Sequence, residues 1–173
     1  MAELAHIIDD LRRRISELER RIRSQSRTGV VTEVNAAEGL ARVRLLDGEI
    51  PFVTGWIPWE EPAAGANRTH LPPSVGQQVR INSESGDLYD ASIQASLNSD
   101  AIGRPSGAGD AYVLSSVGPC TITVSDGGGT CRITVGGSSI TLTGSAITLA
   151  SNGSTLVLDA GGIQEAGAKI EMN

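Results

Sequence analysis

Apolar residues form a single narrow stripe in the first part of the chain. They recur at steps of four and three and are Leu4, Ile8, Leu11, Ile15, Leu18 and Ile22. These steps are the heptad repeat of a coiled coil, with Ile at the a positions and Leu at the d positions. Residues 1–28 contain neither Pro nor Gly, and charged residues fill most positions between the stripe residues. The pattern predicts an α-helical coiled coil over residues 1–26, and self-association is favoured over packing on the chain's own domain because so narrow a stripe suits an identical helix.

The number of helices in this coiled coil is left open by the residues. Ile at a with Leu at d favours two strands, whereas Arg14, Ile15, Leu18 and Glu19 form the Arg-h-x-x-h-Glu pattern associated with trimers. In a trimer, Arg14 at g would pair with Glu19 at e of a neighbouring helix. The stripe is only about 28 Å long and is marginal alone, so other segments must help to hold the oligomer.

Alternation with a period of two marks the middle of the chain. Residues 28–34 and 40–45 alternate apolar with polar around the turn at 35–39, which predicts a hairpin with one buried face. Further strand candidates are Phe52 to Trp56, Gln78 to Asn82 and Leu88 to Gln94. The stretch 62–73 is rich in Pro and Gly and reads as a long loop that holds His70. Five short strands with one long loop suggest a small barrel of the oligonucleotide/oligosaccharide-binding type over residues 27–97.

Two tryptophans in this middle segment admit two arrangements. Trp56 and Trp59 flank Ile57 and Pro58, so in an extended strand their rings lie on opposite faces. One ring would then join the barrel core and the other a surface or a subunit contact. Alternatively, both rings cover loops over the barrel.

Short alternating runs repeat through the last third of the chain. They are residues 121–124, 132–135, 139–142, 146–149 and 155–158, and Gly, Ser, Asn or Asp stand between them. Four-residue strands joined by short turns have the rhythm of a β-solenoid or an intertwined β-helix. A disordered low-complexity tail is the alternative, but the regular alternation of Ile, Val and Leu would have no role there.

One face of these runs is aliphatic. Its members are Ile122, Val124, Ile133, Val135, Ile140, Leu142, Ile147, Leu149, Leu156 and Leu158. A strand of four residues turns only two side chains inward, so one chain cannot enclose a core, whereas three chains around an axis can. The sequence therefore predicts a triple-stranded β-helix over residues 117–173, preceded by a neck at 98–116. The fold class is mainly β: an N-terminal coiled coil, a small barrel and a C-terminal intertwined trimeric β-helix.

Composition and charge exclude several classes of protein. The 173 residues are only 3% aromatic, and all five aromatic residues lie between 52 and 112, too few for one self-contained globule. Residues 1–27 sum to +2, 28–116 to −6 and 117–173 to −2, so no broad basic face is available for nucleic acid. The chain has no apolar run of membrane-spanning length, and the first residues lack the order of a secretory signal, so we expect a protein that is made soluble and in the cytoplasm.

Candidate chemistry is sparse. The only histidines are His6 and His70, and the usual hydrolase, nucleotide-binding and zinc-protease motifs are missing. Glu60 with Glu61, or Asp87 with Asp90, could in principle form a glycosidase pair, but both stretches read more simply as turns. We therefore expect no catalytic residues, no cofactor and no metal site.

Two cysteines occupy equivalent places in the repeat. Cys120 and Cys131 each precede an inward Ile by two positions. A disulfide or redox switch is one interpretation, and two small buried hydrophobic residues is the preferred one.

A set of ordered fragments in the middle segment carries a family resemblance. The fragments are Arg27–Val31, Gly55–Trp59, Ala64–Thr69, Pro72–Val79 and Gly86–Leu88. In this order they resemble the N-terminal barrel of the phage baseplate assembly protein V family, the central spike of contractile phage tails. The residues that we take as the family motif are Trp56, Trp59, Gly65, Arg68, Pro73 and Gly76.

The resemblance implies a structural homotrimer in the baseplate of a virion tail. It would be attached below the tail hub protein, near the baseplate wedge proteins, and its β-helical needle would puncture the host envelope, crossing the outer membrane transiently, on sheath contraction. Some family members bind iron through a His-x-His pair at the needle tip, but His6 and His70 lie far upstream, so metal binding is not carried over. A separate tip protein is expected instead, because a needle without its own tip leaves strand edges exposed.

Two other functions are compatible with parts of the sequence. One is a trimeric β-helical tail enzyme that acts on envelope polysaccharide, and the lack of any aromatic residue after Val117 argues against it. The other is a trimeric adhesin, which should carry an export signal. The host, the hub and tip partners, and the choice between phage, tailocin and secretion device are left open by the sequence.

Overall fold

The structure, a computed structural model of one chain, describes residues 2–46 and 50–169. It divides into two compact units, Met1–Gly103 and Arg104–Asn173. This division falls inside the predicted 98–116 neck. Within the described ranges, no helix is long and apolar enough to span a bilayer.

The first unit begins with helix α1, Ala2–Gln25, which is 24 residues long. Glu3 lies in its first turn and Arg23 in its last, an order of charge that complements the helix dipole. Strand β1, Ser26–Asn35, follows with no intervening loop.

Five strands curl into a small barrel after this helix. They are β1, β2 (Leu40–Leu45), β3 (Ile57–Pro58), β4 (Gln78–Asn82) and β5 (Ser92–Leu97). The sheet order is β3-β2-β1-β4-β5, and all of these neighbours are antiparallel. A parallel bridge between Trp59 and Ile93, next to a 2.8 Å hydrogen bond from Glu60 N to Ile93 O, brings the two edge strands together. The expected barrel of the oligonucleotide/oligosaccharide-binding type is therefore present as a curled, mainly β domain.

The barrel core consists of nine buried apolar side chains. They are Val31, Ala41, Val43, Leu45, Ile57, Val79, Ile81, Ala91 and Ile93. Gly29 in β1 allows the strong curl, because a Cβ there would lie 2.4 Å from Val43 Cγ1 and 2.8 Å from the Arg44 carbonyl oxygen.

Two of the predicted strands are wrong in their limits. Phe52 to Trp56 is not a regular strand, since Thr54 is fully buried and its side chain, not a backbone group, accepts from Val43 N at 3.0 Å. The chain at Leu88–Asp90 is a 3₁₀ turn capped by Asp87, and the strand there starts later, at Ser92. In both places a short polar side chain, that of Thr54 or Asp87, accepts a hydrogen bond from a backbone N–H and so competes with regular strand pairing.

The second unit is a seven-stranded antiparallel meander. Its strands, in chain order and in sheet order, are β6 (Tyr112–Val117), β7 (Cys120–Ser125), β8 (Thr130–Val135), β9 (Ser138–Thr143), β10 (Ala146–Ser151), β11 (Ser154–Asp159) and β12 (Gly162–Ala166). The strands are longer than the four residues expected. The β10–β11 turn is Asn152–Gly153, with φ of 48° and 91°, which matches the positive φ that a two-residue hairpin turn prefers.

Candidate functional surfaces

The heptad stripe of α1 is solvent-exposed in the single chain. We call its six residues, Leu4, Ile8, Leu11, Ile15, Leu18 and Ile22, the α1 seam; their side chains are 43–67% exposed. An exposed apolar stripe on a helix of this length is unusual unless another molecule covers it.

Several charged residues outside the α1 seam are paired within the helix. Glu17 binds both Arg20 and Arg21, at 2.9 and 2.8 Å, and these two guanidinium groups lower its carboxyl pKa to about 2. Arg14 pairs with Asp10 at 3.7 Å and Glu19 with Arg23 at 3.2 Å. The contact between Arg14 and Glu19 of neighbouring helices stays a prediction.

The register of the second unit places the ten predicted aliphatic residues on one face. Directly paired residues share a face, and the pairing makes a central ladder of Ile122, Ile133, Ile140, Leu149 and Leu156. A second ladder runs through Val124, Cys131, Leu142, Ile147 and Leu158, and a third through Cys120, Val135, Ser138, Ser151 and Ser154. We call the ten apolar members of these ladders other than cysteine the aliphatic face.

The aliphatic face has no cover within its own unit. Ile133, Ile140 and Leu149 remain 36%, 39% and 37% exposed, and Val135 reaches 52%. Between residues 94 and 169, all of which the structure describes, no residue is buried. A sheet of seven strands with one aliphatic face and no buried residue lacks the core that a stable domain requires.

The residues of the third ladder change from apolar to hydroxyl-bearing along the sheet. It is apolar at Cys120 and Val135 and becomes hydroxylic at Ser138, Ser151 and Ser154. Ser138 and Ser151 share a hydrogen bond of 2.7 Å between their hydroxyls. These serines border a groove of about 590 Å³ whose apolar lining includes Ile140, Leu149 and Leu156.

The two cysteines lie on the face of the aliphatic residues but far from each other. Cys120 pairs with Val135, and Cys131 pairs with Val124 at the other end of the same strand pair. Four residues of strand, about 13 Å, therefore separate them along the strand direction. Both thiols are free and partly buried.

The long loop of the barrel is organised by Glu61. Its carboxylate accepts hydrogen bonds from Leu71 N at 2.8 Å, Trp59 Nε1 at 2.7 Å and Thr69 Oγ1 at 2.7 Å. The pKa of Glu61 is lowered, first by the Leu71 backbone and then by Trp59 and Thr69. His70 lies on this exposed loop with its ring centroid 6.4 Å from that of Trp59. The sequence predicts that Glu61 belongs to a turn, and no local pattern signals its three hydrogen-bond partners.

The two tryptophans adopt the first of the two predicted arrangements, with one ring toward the barrel core and the other at the surface. Trp59 packs partly against the barrel core, whereas Trp56 is 46% exposed with the Arg42 guanidinium 6.0 Å from its ring centroid.

The other motif residues shape loops. Gly65 and Arg68 belong to one tight turn, in which Arg68 Nε donates to the Gly65 carbonyl oxygen at 3.3 Å. Pro73 is buried, and Gly76 has a φ of 88° and donates its N–H to Val31 O at 2.9 Å. These residues hold the loop to the barrel and show no catalytic arrangement. Among the described residues, no three His, Cys, Asp or Glu side chains are grouped as metal ligands.

Comparison with known proteins identifies relatives of this barrel. Residues 27–97 match the family model described as the type VI secretion system/phage-baseplate injector OB domain. The spike protein of Escherichia phage P2 is 35% identical to this chain over 97 residues, which are 56% of this chain and 44% of that protein. The match thus spans less than half the length of the spike protein. The resemblance to the phage baseplate V family, expected from the fragments between Arg27 and Leu88, is confirmed.

Proposed function

We propose that this chain, whose residues 27–97 match the phage-baseplate injector OB domain and which resembles a phage spike protein, is the homotrimeric central spike of a contractile tail or a related injection machine. The role is structural. The family match and the likeness to a phage spike protein support a component of the tail baseplate, and the chain's own residues support the trimer.

The observation that carries the trimer is the aliphatic face of β7–β11. Fully burying an Ile, Leu or Val side chain stabilises by about 1.5–3 kcal/mol, and ten such residues per chain lie on this face. Copies that meet around one axis bury all ten side chains at once, as the α1 seam buries its own. Two self-complementary apolar surfaces on one chain favour a parallel homotrimer that is a coiled coil at its start and an intertwined β-helix at its end.

The mechanism is mechanical. The coiled coil and the barrel hold the protein below the tail hub and beside the wedge proteins, and a separate protein covers the tip. The β-helix transmits the thrust of sheath contraction to the cell envelope. Its outer face suits this passage because Thr and Ser dominate it, and residues 117–173 carry only six charged side chains: Asp126, Arg132, Asp159, Glu165, Lys169 and Glu171.

The hydrogen bonds of the candidate catalytic carboxylates support a non-enzymatic protein. Both carboxylates of the Glu60–Glu61 pair have structural partners: Glu60 accepts from Ser92 Oγ at 2.7 Å, and Glu61 organises the loop. Asp87 caps the 3₁₀ turn by accepting from Tyr89 N at 3.2 Å.

Light scattering on matched variants tests this proposal. The wild-type protein should have the mass of three chains. Ile140→Asp places a charge on the central ladder and should prevent assembly of the shaft, whereas Thr141→Asp places it on the opposite face and should leave the trimer intact. A stable wild-type monomer, or an Ile140→Asp protein of unchanged size and melting temperature, would reject the trimeric shaft.

A further inference from the structure

The end of α1 is fixed against a loop of the barrel. Ser83 N donates to Gln25 O at 2.9 Å, and Gln25 Nε2 donates to Glu84 O at 3.3 Å. Gly86 approaches the helix backbone so closely that a Cβ on it would lie 2.7 Å from Arg21 O. The loop 83–87 therefore rests directly on the last turn of the helix.

This loop is itself held rigidly. The Asp90 carboxylate accepts from the Ser83 hydroxyl and from Ser85 N, the latter at 2.9 Å, and these two hydrogen bonds lower its pKa. Asp87 Oδ1 accepts from Tyr89 N and so caps the 3₁₀ turn Leu88–Asp90. These hydrogen bonds hold the backbone of the turn and so set the direction in which each side chain leaves it.

Tyr89 is the side chain that this rigid turn displays. Leu88 packs against the barrel core, and its neighbour Tyr89 is 100% exposed. A large aromatic residue on a pre-organised turn loses little conformational entropy on binding, and tyrosine is enriched at binding hot spots. The Tyr89 side chain is thus presented for contact and has no side-chain partner among the residues that the structure describes.

The loop borders the α1 seam on one flank only. At about 100° per residue, Arg21 lies about 100° from Ile22 and Gln25 about 60° from it, on the same side. Glu19 lies about 60° from Ile22 on the other side of the seam. In heptad terms Arg21 is at g and Glu19 at e, and in a parallel coiled coil the g flank of one helix faces the e flank of the next.

We propose that Tyr89 packs on the e flank of α1 of a neighbouring copy, where the Glu19–Arg23 pair provides its contact surface. This inference rests on the trimer of the proposed function and adds to it a contact between the barrel of one chain and the helix of the next. The Glu19–Arg23 pair suits an aromatic partner, because the Arg23 guanidinium and the methylene groups of both side chains can stack against a ring. Arg21, at the g position beside the loop, complements Glu19 at the e position across the same boundary.

Site-specific photo-crosslinking in an isotopically mixed trimer tests the contact. Benzoylphenylalanine replaces Tyr89 in unlabelled protein, which is co-assembled with ¹⁵N-labelled wild-type protein. Irradiation should link residue 89 to the labelled chain's tryptic peptide 15–20 or 22–23. The matched control carries the same group in place of Tyr112, an exposed aromatic residue of the second unit, and measures the linking that occurs without the loop 83–87 to position the group.

Subunit exchange between trimers provides a second readout. Tyr89→Ala should speed exchange by about tenfold or more, whereas Tyr89→Phe should leave the rate unchanged because the ring makes the contact. Links confined to the chain's own helix, no helix links, or an unchanged exchange rate for Tyr89→Ala would overturn the Tyr89 contact while light scattering still shows a trimer. A monomer in light scattering would instead overturn the proposed function.

Discussion

The hydroxyl of Thr54 accepts a 3.0 Å hydrogen bond from the backbone N–H of Val43, so a buried side chain occupies the place of a strand carbonyl. The same hydroxyl donates to Gly55 O at 2.8 Å, and Thr54 N donates to Val43 O at 2.9 Å. Strand β2 is thereby held to the segment before β3 without a regular ladder.

Replacing Thr54 by Val should destabilise the barrel by about 1–3 kcal/mol, because Val has the same shape but leaves the Val43 N–H buried and unpaired. Urea unfolding followed by tryptophan fluorescence measures this loss, since Trp56 and Trp59 both report on the barrel. Thr54→Ser retains the hydroxyl and is the control. A Val variant as stable as the Ser variant would show that the hydrogen bond contributes little.

Gly86 is predicted to be more sensitive to substitution than another glycine of similar backbone conformation. Gly86 and Gly39 have φ of 78° and 70°, so alanine costs roughly 1–2 kcal/mol of backbone strain at either position. Only at Gly86 does the added Cβ also meet the Arg21 backbone, whereas nothing lies within 4 Å at Gly39. In urea unfolding, Gly86→Ala should be clearly the less stable variant, and equal stabilities would mean that the helix end does not rest on this loop.

Glu61 should make the barrel loop sensitive to acid. Its folded pKa is below the ordinary value of 4.5, so its stabilising effect is complete above about pH 4.5 and is lost as the pH falls through the folded pKa. The urea concentration at the unfolding midpoint of the wild-type protein should therefore decrease as the pH is lowered below about 4.5. Glu61→Gln should flatten this decline, while Glu60→Gln should keep it. An identical pH profile for the wild type and Glu61→Gln would contradict the role of this carboxylate.

The two cysteines should remain reduced as a pair under mild oxidation. Their register keeps them at opposite ends of the β7–β8 pair, well beyond the Cα separation of under 7 Å that a disulfide requires. Thiol titration of the denatured, non-reduced protein should give two thiols per chain, and alkylation of the native protein should be slower than that of the denatured protein. A chain mass lower by two hydrogens would show an internal disulfide and a different register.

Periodic surfaces could be predicted from the sequence, and locally bonded segments could not. The helix spacing from Leu4 to Ile22 and the shared face of Ile122 to Leu158 follow from repeats of 3.5 and 2, which act over many residues. The outcome at Phe52 to Trp56 instead depends on one hydroxyl, that of Thr54. Periodicity contains no information about such a single contact.

The candidate surfaces divide in the same way. The α1 seam and the aliphatic face were predictable because each follows from a regular spacing of apolar residues along the sequence. The joint between Gln25, Glu84 and Gly86 was not, because it unites residues about 60 positions apart. Glu61 and Tyr89 likewise acquire their roles from a loop's three-dimensional course.

The direct passage from Gln25 into Ser26 fixes the rotational phase of the α1 seam. Because no loop absorbs a change in length, one residue inserted within the helix would turn the stripe above it by about 100° relative to the barrel. Seven residues would turn it by only about 20°. Natural variants of this protein should accordingly lengthen or shorten the helix in whole heptads, because only such changes keep the α1 seam at nearly the same angle to the barrel.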